Sequence, residues 1–184
     1  MIDPAVPVTR WHLKDSGIAK LRRFAAGGAL DGVGAVWAST ECKAIEGAGV
    51  LAAALGLGVR VRDDLGENDR SATGYLPPPE FEAMAGAFFA RPADSVRGWE
   101  RAADAQARIV AAVRAVVAES GPEGDILVVA HGAVGALLRG HLLGAPISRA
   151  LDQPAQGCWF AVELPDDGAG WQLATPHWQV LPPA

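Results

Sequence analysis

At 184 residues, half of them hydrophobic, the chain fits one domain with a full-sized core and requires no second. Its formal charge of -5, with basic residues grouped only at Lys20, Arg22 and Arg23, argues against a nucleic-acid partner, because that affinity rests on clustered Lys and Arg. Cys42 and Cys158 lack the CxxC spacing of a zinc or redox site, the start lacks the regions of a signal peptide, and no apolar run is long enough to span a membrane, so a soluble cytoplasmic protein with reduced thiols is expected.

Pro4 and Pro7 bias residues 2–9 toward an extended arm or strand edge. Asp15 or Ser16 offers a cap for a helix in which Ile18, Leu21 and Phe24 recur at helical spacing until Gly27 and Gly28. Residues 33–38 read as a buried strand, and Ser39 and Thr40 offer a cap for a helix over residues 43–55. Ser39, Thr40 and Lys43 therefore stand at the mouth of a strand-to-helix turn. Residues 59–61 form a short strand. Residues 63–79, charged at first and then rich in Gly, Ser and Pro, form a long loop of the kind that often carries function. A helix over residues 81–89 follows. The longest helix spans residues 99–119, with Ile109, Val110, Val113, Val116 and Val117 on its apolar stripe and Asp104 paired with Arg108 at i, i+4 on the other face. At its start, Arg97, Trp99 and Glu100 face a cleft or solvent.

Residues 126–129 are a buried strand, followed by His131 and Gly132 and then a helix over residues 133–143 that stops at Gly144. A histidine at the carboxyl end of a strand, with a helix opening straight after it, suits an anion. The first free N–H groups of the helix point at such a ligand and the imidazole can donate to it. Taken alone, the same turn also fits a histidine that only satisfies a local hydrogen bond. Residues 159–164 and 171–175 predict a hairpin through Pro165, Asp166, Asp167 and Gly168. Together these elements predict a three-layer α/β/α sandwich with a mostly parallel sheet, in which ligands sit beyond the carboxyl ends of the strands.

The pattern Trp11-x-Leu13-x-x-x-Gly17, then Ala-Ser-Thr-Glu-Cys-Lys-Ala over residues 38–44, then Leu65-Gly66-Glu67, then Val-Val-Ala-His-Gly-Ala over residues 128–133, resembles the histidine phosphatase superfamily with its phosphoglycerate mutase-like fold. The resemblance implies metal-independent hydrolysis of a phosphomonoester through a phosphohistidine, with no cofactor. It places His131 at the family's second histidine, Lys43 at an arginine position, Ser39 at a serine of the same turn and Glu67 at the acid/base glutamate. Gly132 and Ala133 would offer backbone N–H groups to the phosphate, and Arg70, in the loop after Glu67, either contacts it or pairs within the loop. Phosphoryl transfer needs cations and donors around three non-bridging oxygens, and a proton donor for the leaving alkoxide. His131 and Lys43 suit the first task, and Glu67 the second if its loop folds over the cleft.

Two departures stand out. Lys43 supplies charge without the two-pronged geometry of arginine. The family's Arg-His-Gly motif, whose histidine is phosphorylated, has no counterpart in the sequence. Arg10-Trp11-His12 is a poor substitute, because Trp11 and Leu13 already occupy the segment that follows the nucleophile, which leaves His12 at a helix start. Two explanations are open: an apolar strand with Arg-His lies upstream of Met1, or the chain is a diverged relative without its nucleophile. In either case the first strand of the family is missing or replaced, with unpaired strand edges as the expected result. The expected partner is inorganic phosphate or a small phosphate ester, and the competing reading is a non-catalytic phosphate-binding module or interaction scaffold. The remaining histidines, His141 and His177, are expected to be structural, and Trp11 and Trp99 to border the cleft.

Overall fold

A computed structural model describes residues 3–165 and 170–184. Its spine is β1 (Val33–Ser39), flanked in a parallel sheet by β2 (Val59–Arg62) and β3 (Asp125–Val129), in the order β2-β1-β3. Because side chains alternate along a strand, β1 feeds two cores at once. Val36 and Ala38 pack on Ala44, Ala48 and Ala52 of α2 (Cys42–Leu55). These alanines recur every fourth residue and leave room for the helix to lie close on the sheet. The helix α1 (Asp15–Ala25) joins this layer through Phe24, which packs with Leu30 and Leu51.

On the opposite face, Ala35 and Trp37 pack against Ile109, Val110 and Val116 of α4 (Ala102–Ser120) and Val134 and Leu138 of α5 (Gly132–Leu142). The Trp37 indole N–H donates to Ser120 Oγ at 2.8 Å, so the ring is buried with its polar edge satisfied. Beyond this layer α3 (Pro78–Ala90) sets Phe88 and Phe89 against Trp99 and Leu137. The architecture is therefore the expected α/β fold on a parallel sheet, with helices on both faces.

Three expectations change. The expected arm is not extended over its described residues 3–9: Asp3 accepts from the N–H groups of Ala5 and Val6, the Trp11 indole N–H is shared by the carbonyls of Asp3 and Val6, and Val8–Arg10 is a 3-10 turn. The long helix begins at Ala102, since the chain straightens at Trp99 to bury that ring among α3 residues. Asp104 pairs with Arg101 rather than Arg108, which turns inward. The predicted terminal hairpin is present as β5 (Val162–Glu163) against β6 (Gln172–Leu173), behind β4 (Cys158–Trp159) against β7 (Gln179–Val180). Its predicted turn at Asp166, Asp167 and Gly168 lies outside the described residues.

Strand β3 pairs with β1 alone among the described residues, and Ile126 to Val129 stay half-buried. No helix among the described residues is long and apolar enough to cross a membrane.

Leu65, which follows β2 and is fully buried beneath α4 and α5, closes the core just before the Glu67 loop. Leu65→Ala is expected to cost about 2–5 kcal/mol in urea denaturation followed by tryptophan fluorescence, the range for a truncated core leucine. A loss below about 1 kcal/mol would show that the chain closes over the void.

Candidate functional site

Parallel pairing sets the site. Ala38 of β1 lies in register with Val129 of β3, so both strands deliver their carboxyl ends to the same level. Ser39 and His131 leave those ends and meet, with Ser39 Oγ and His131 Nε2 sharing a hydrogen bond at 2.6 Å. Both side chains are buried, and His131 stands at the N-cap position of α5 in extended conformation.

The residue at the centre of the cluster is Glu41, which sequence reasoning passed over. It is the N-cap of α2, in place of the expected Ser39 or Thr40, whose hydroxyl donates to Asp63 instead. Its carboxylate is buried, only 6% exposed, and meets three neighbours. Lys43 Nζ donates to Oε2 at 2.6 Å, the Glu67 backbone N–H donates to Oε1 at 3.0 Å, and His131 Nε2 lies 3.3 Å from Oε1. Burial acts to raise the Glu41 carboxyl, but the charges of His131 and Lys43, together with the hydrogen bonds from Lys43 and Glu67, hold it below the usual carboxylate range. The available signal was a lone acid inside the strand-to-helix turn, two residues before Lys43.

Glu67 occupies the seat that the sequence assigned to an anion. Its Oε1 accepts from Val134 N at 3.2 Å and its Oε2 from Ala133 N at 3.4 Å, which satisfies two of the orphan donors at the start of α5. The loop reaches this position because Arg108 holds its backbone. The guanidinium donates to the carbonyls of Asp64 at 2.8 Å, Gly66 at 3.0 Å and Glu67 at 3.2 Å, and pairs with Glu100 at 2.8 Å. Glu100, left between cleft and solvent by its sequence position, also accepts from Asp69 N, which fixes the far side of the loop.

Around this core, Gly132 leaves room for the Gln153 amide, since a Cβ there would lie 2.5 Å from Gln153 Nε2. Asn68, next to Glu67, buries an Nδ2 group that has no acceptor among the described residues. Arg70 lies over the Phe81 ring at 5.1 Å, with no loop carboxylate pairing among the described residues, and its charge acts on His131. The five predicted side chains, Ser39, Lys43, Glu67, Arg70 and His131, thus converge with the N–H groups that follow Gly132.

Burial pushes the His131 imidazole below its ordinary value, and Lys43 and Arg70 add to that effect, while Glu67 and Glu41 oppose it without reversing it. The ring is accordingly neutral at pH 7. An entering phosphoryl group would supply the negative charge that favours its protonation.

The other candidates lie elsewhere. His12 is exposed and pairs with Glu46 of α2, as expected of a helix-start residue. His141 lines a separate cleft of about 240 Å³ with Arg114 and Trp171. Trp99 is core, donating to Thr73 Oγ1 at 2.8 Å, and Trp11 packs against Tyr75 at 5.8 Å. Among the described residues no group of three or more His, Cys, Asp and Glu side chains is disposed to hold a metal ion.

Comparison with known proteins agrees with this geometry. The family described as histidine phosphatase superfamily (branch 1) matches residues 8–176. The chain is similar in structure to Bacillus stearothermophilus YhfR, with a TM-score of 0.75 and 20% identity over 92% of this chain and 86% of that one. It is also similar to the mycobacterial glucosyl-3-phosphoglycerate phosphatase in its native form, with a TM-score of 0.68 and 25% identity over 88% of this chain and 86% of that one. The complex of that enzyme with inorganic phosphate aligns with a TM-score of 0.69 and 22% identity over 94% and 90% of the two chains. No curated protein matches the chain.

Because the folded protein resists protonating His131 while the unfolded chain titrates at the ordinary value of 6.5, unfolding takes up a proton below that pH. Stability is expected to fall as pH is lowered through about 6.5, and Glu41 adds a further loss below about 4.5 as its carboxylate is neutralised. Urea midpoints measured across this range should show a shallower slope near pH 6 in His131→Gln, and an unchanged slope would place the titrating group elsewhere.

Proposed function

Since the chain belongs to the histidine phosphatase superfamily, we propose that it binds the phosphoryl group of a phosphomonoester, or inorganic phosphate, at the carboxyl ends of β1 and β3. The observation that carries this reading is the Glu67 carboxylate on the N–H groups of Ala133 and Val134. The helix start already holds an anionic group, and phosphate oxygens would make the same contacts with more charge. His131 donates to a second oxygen, Lys43 and Arg70 supply cations, and Ser39 fixes the imidazole. Displaced from α5, Glu67 would stand beside the ester oxygen as the proton donor. The mycobacterial neighbour solved with phosphate supports the ligand class.

Hydrolysis through a phosphohistidine requires a second imidazole facing His131, and in this chain His12 and His141 are committed to other surroundings. We therefore read the polypeptide as a phosphate-ester binder with impaired or absent turnover, and the family's hydrolysis as the activity from which the site derives. This reading leaves the ester's alcohol portion open.

Phosphate should raise the melting temperature of the protein with saturable dependence on concentration, while no phosphate is released from p-nitrophenyl phosphate. His131→Ala should abolish most of the protection. Steady phosphate release lost in His131→Ala would restore the enzymatic reading. Absence of protection by phosphate would leave only a scaffold of this fold.

A further inference from the structure

The resemblance assigns no role to position 41, yet the Glu41 carboxylate meets Lys43, Glu67 and His131. We propose that Glu41 is a positioning residue for the phosphoryl site, holding Lys43, Glu67 and His131 in one arrangement through the two oxygens of one buried carboxylate. The proposal rests on the phosphate-binding reading above for its ligand and on geometry for its mechanism.

A lysine has a long flexible stem and no preferred approach to an oxyanion. Here Lys43 is given one, because Nζ lies 2.6 Å from Glu41 Oε2 with the side chain about a quarter exposed. Without that contact the ammonium group is free to turn to water. The other oxygen does two things at once. It takes the backbone N–H of Glu67 at 3.0 Å, which pins the residue whose carboxylate caps α5. It also faces His131 Nε2 at 3.3 Å. The distance from Glu41 to each partner is short enough that moving the carboxylate moves all three.

The placement also sets the charge of the site before ligand arrives. The groups facing His131 are Glu41 and Lys43 from α2, and Glu67 and Arg70 from the loop after β2, two of each sign. Glu41 offsets Lys43 internally, so a half-buried ammonium waits in place without an unpaired charge. An ionised carboxylate in this position is costly to bury unless it is matched. It is matched here by one cation, one backbone N–H and the imidazole.

The test is a double-mutant cycle read by phosphate affinity, together with the titration of His131 by NMR in the absence of ligand. In the natural background Lys43→Met should weaken phosphate binding about tenfold, the scale of one charge-assisted contact. In the Glu41→Gln background the same change should cost less than about threefold, because the ammonium is no longer aimed. Glu41→Gln should also move the His131 titration to lower pH, since a carboxylate facing the ring favours its charged form. A role confined to holding the fold leaves the cost of Lys43→Met equal in both backgrounds and the His131 titration unmoved, and either result overturns the proposal. If the natural protein binds no phosphate, the reading of the previous subsection fails. The His131 titration still decides whether Glu41 governs the imidazole.

Discussion

Everything at the site depends on the parallel register of β1 and β3. With Ala38 beside Val129, two chain segments 92 residues apart end at the same height, and Ser39 reaches the ring of His131 at 2.6 Å. A shift of one residue in β1 would turn Ser39 to the other face, and one in β3 would displace His131, because side chains alternate faces along a strand; either would part the pair. The register is held by what lies on both faces. Trp37 and Ala35 lock into the α4 and α5 layer, while Val36 and Ala38 lock onto the alanines of α2. The site therefore inherits its precision from a sheet packed on both sides.

On this rigid floor stands a loop that is held by charge instead of by apolar packing. Arg108 reaches from α4 to three backbone carbonyls, those of Asp64, Gly66 and Glu67, and Glu100 completes its coordination. Hydrogen bonding to Glu100, with the charges of Glu100, Glu67 and Asp64, holds this guanidinium in its protonated form against the opposing effect of burial. Carbonyl oxygens, which neither titrate nor move independently of the chain, are well suited to fixing a loop in one place. The consequence for chemistry is that Glu67 is delivered to the α5 helix start by its backbone, leaving its carboxylate able to exchange with an incoming anion.

The resting site is balanced. Two carboxylates and two cations surround a neutral, buried imidazole, and the helix start is occupied. Phosphate binding in such a place is an exchange in which one anion replaces another at α5. That arrangement suits a polar pocket that must stay folded while empty, because the Glu41 and Glu67 carboxylates, the Lys43 ammonium and the first N–H groups of α5 are matched to one another. It also ties ligand binding to movement of the Glu67 carboxylate, the group with the chemistry of a proton donor.

Much of this was legible in the sequence. The alternation of short apolar runs with helical periodicity fixes a parallel α/β sheet, and a histidine between a strand and a helix marks an anion site for reasons of backbone geometry alone. The spacing of Ser39, Lys43, Glu67 and His131 carries the family resemblance. Other features belong to tertiary structure, because they depend on contacts between residues far apart in the chain. Nothing near Arg108 tells that its partner is Glu100 and the Glu67 loop instead of Asp104, since i, i+4 spacing along the helix favours Asp104 and only the break in the chain before α4, with the fold, brings Glu100 and the carbonyls within reach. The proline-bearing arm curls because a distant indole N–H needs acceptors. Glu41 was invisible as a site residue because a lone carboxylate in a turn is usually solvated. Only the packing of α2 against the two strand ends buries it where a lysine, a backbone amide and an imidazole converge. The sequence by itself determined which chemical groups this protein has and the order in which the fold presents them; the tertiary structure decided which of them face one another, because burial and charge pairing are properties of neighbours in space.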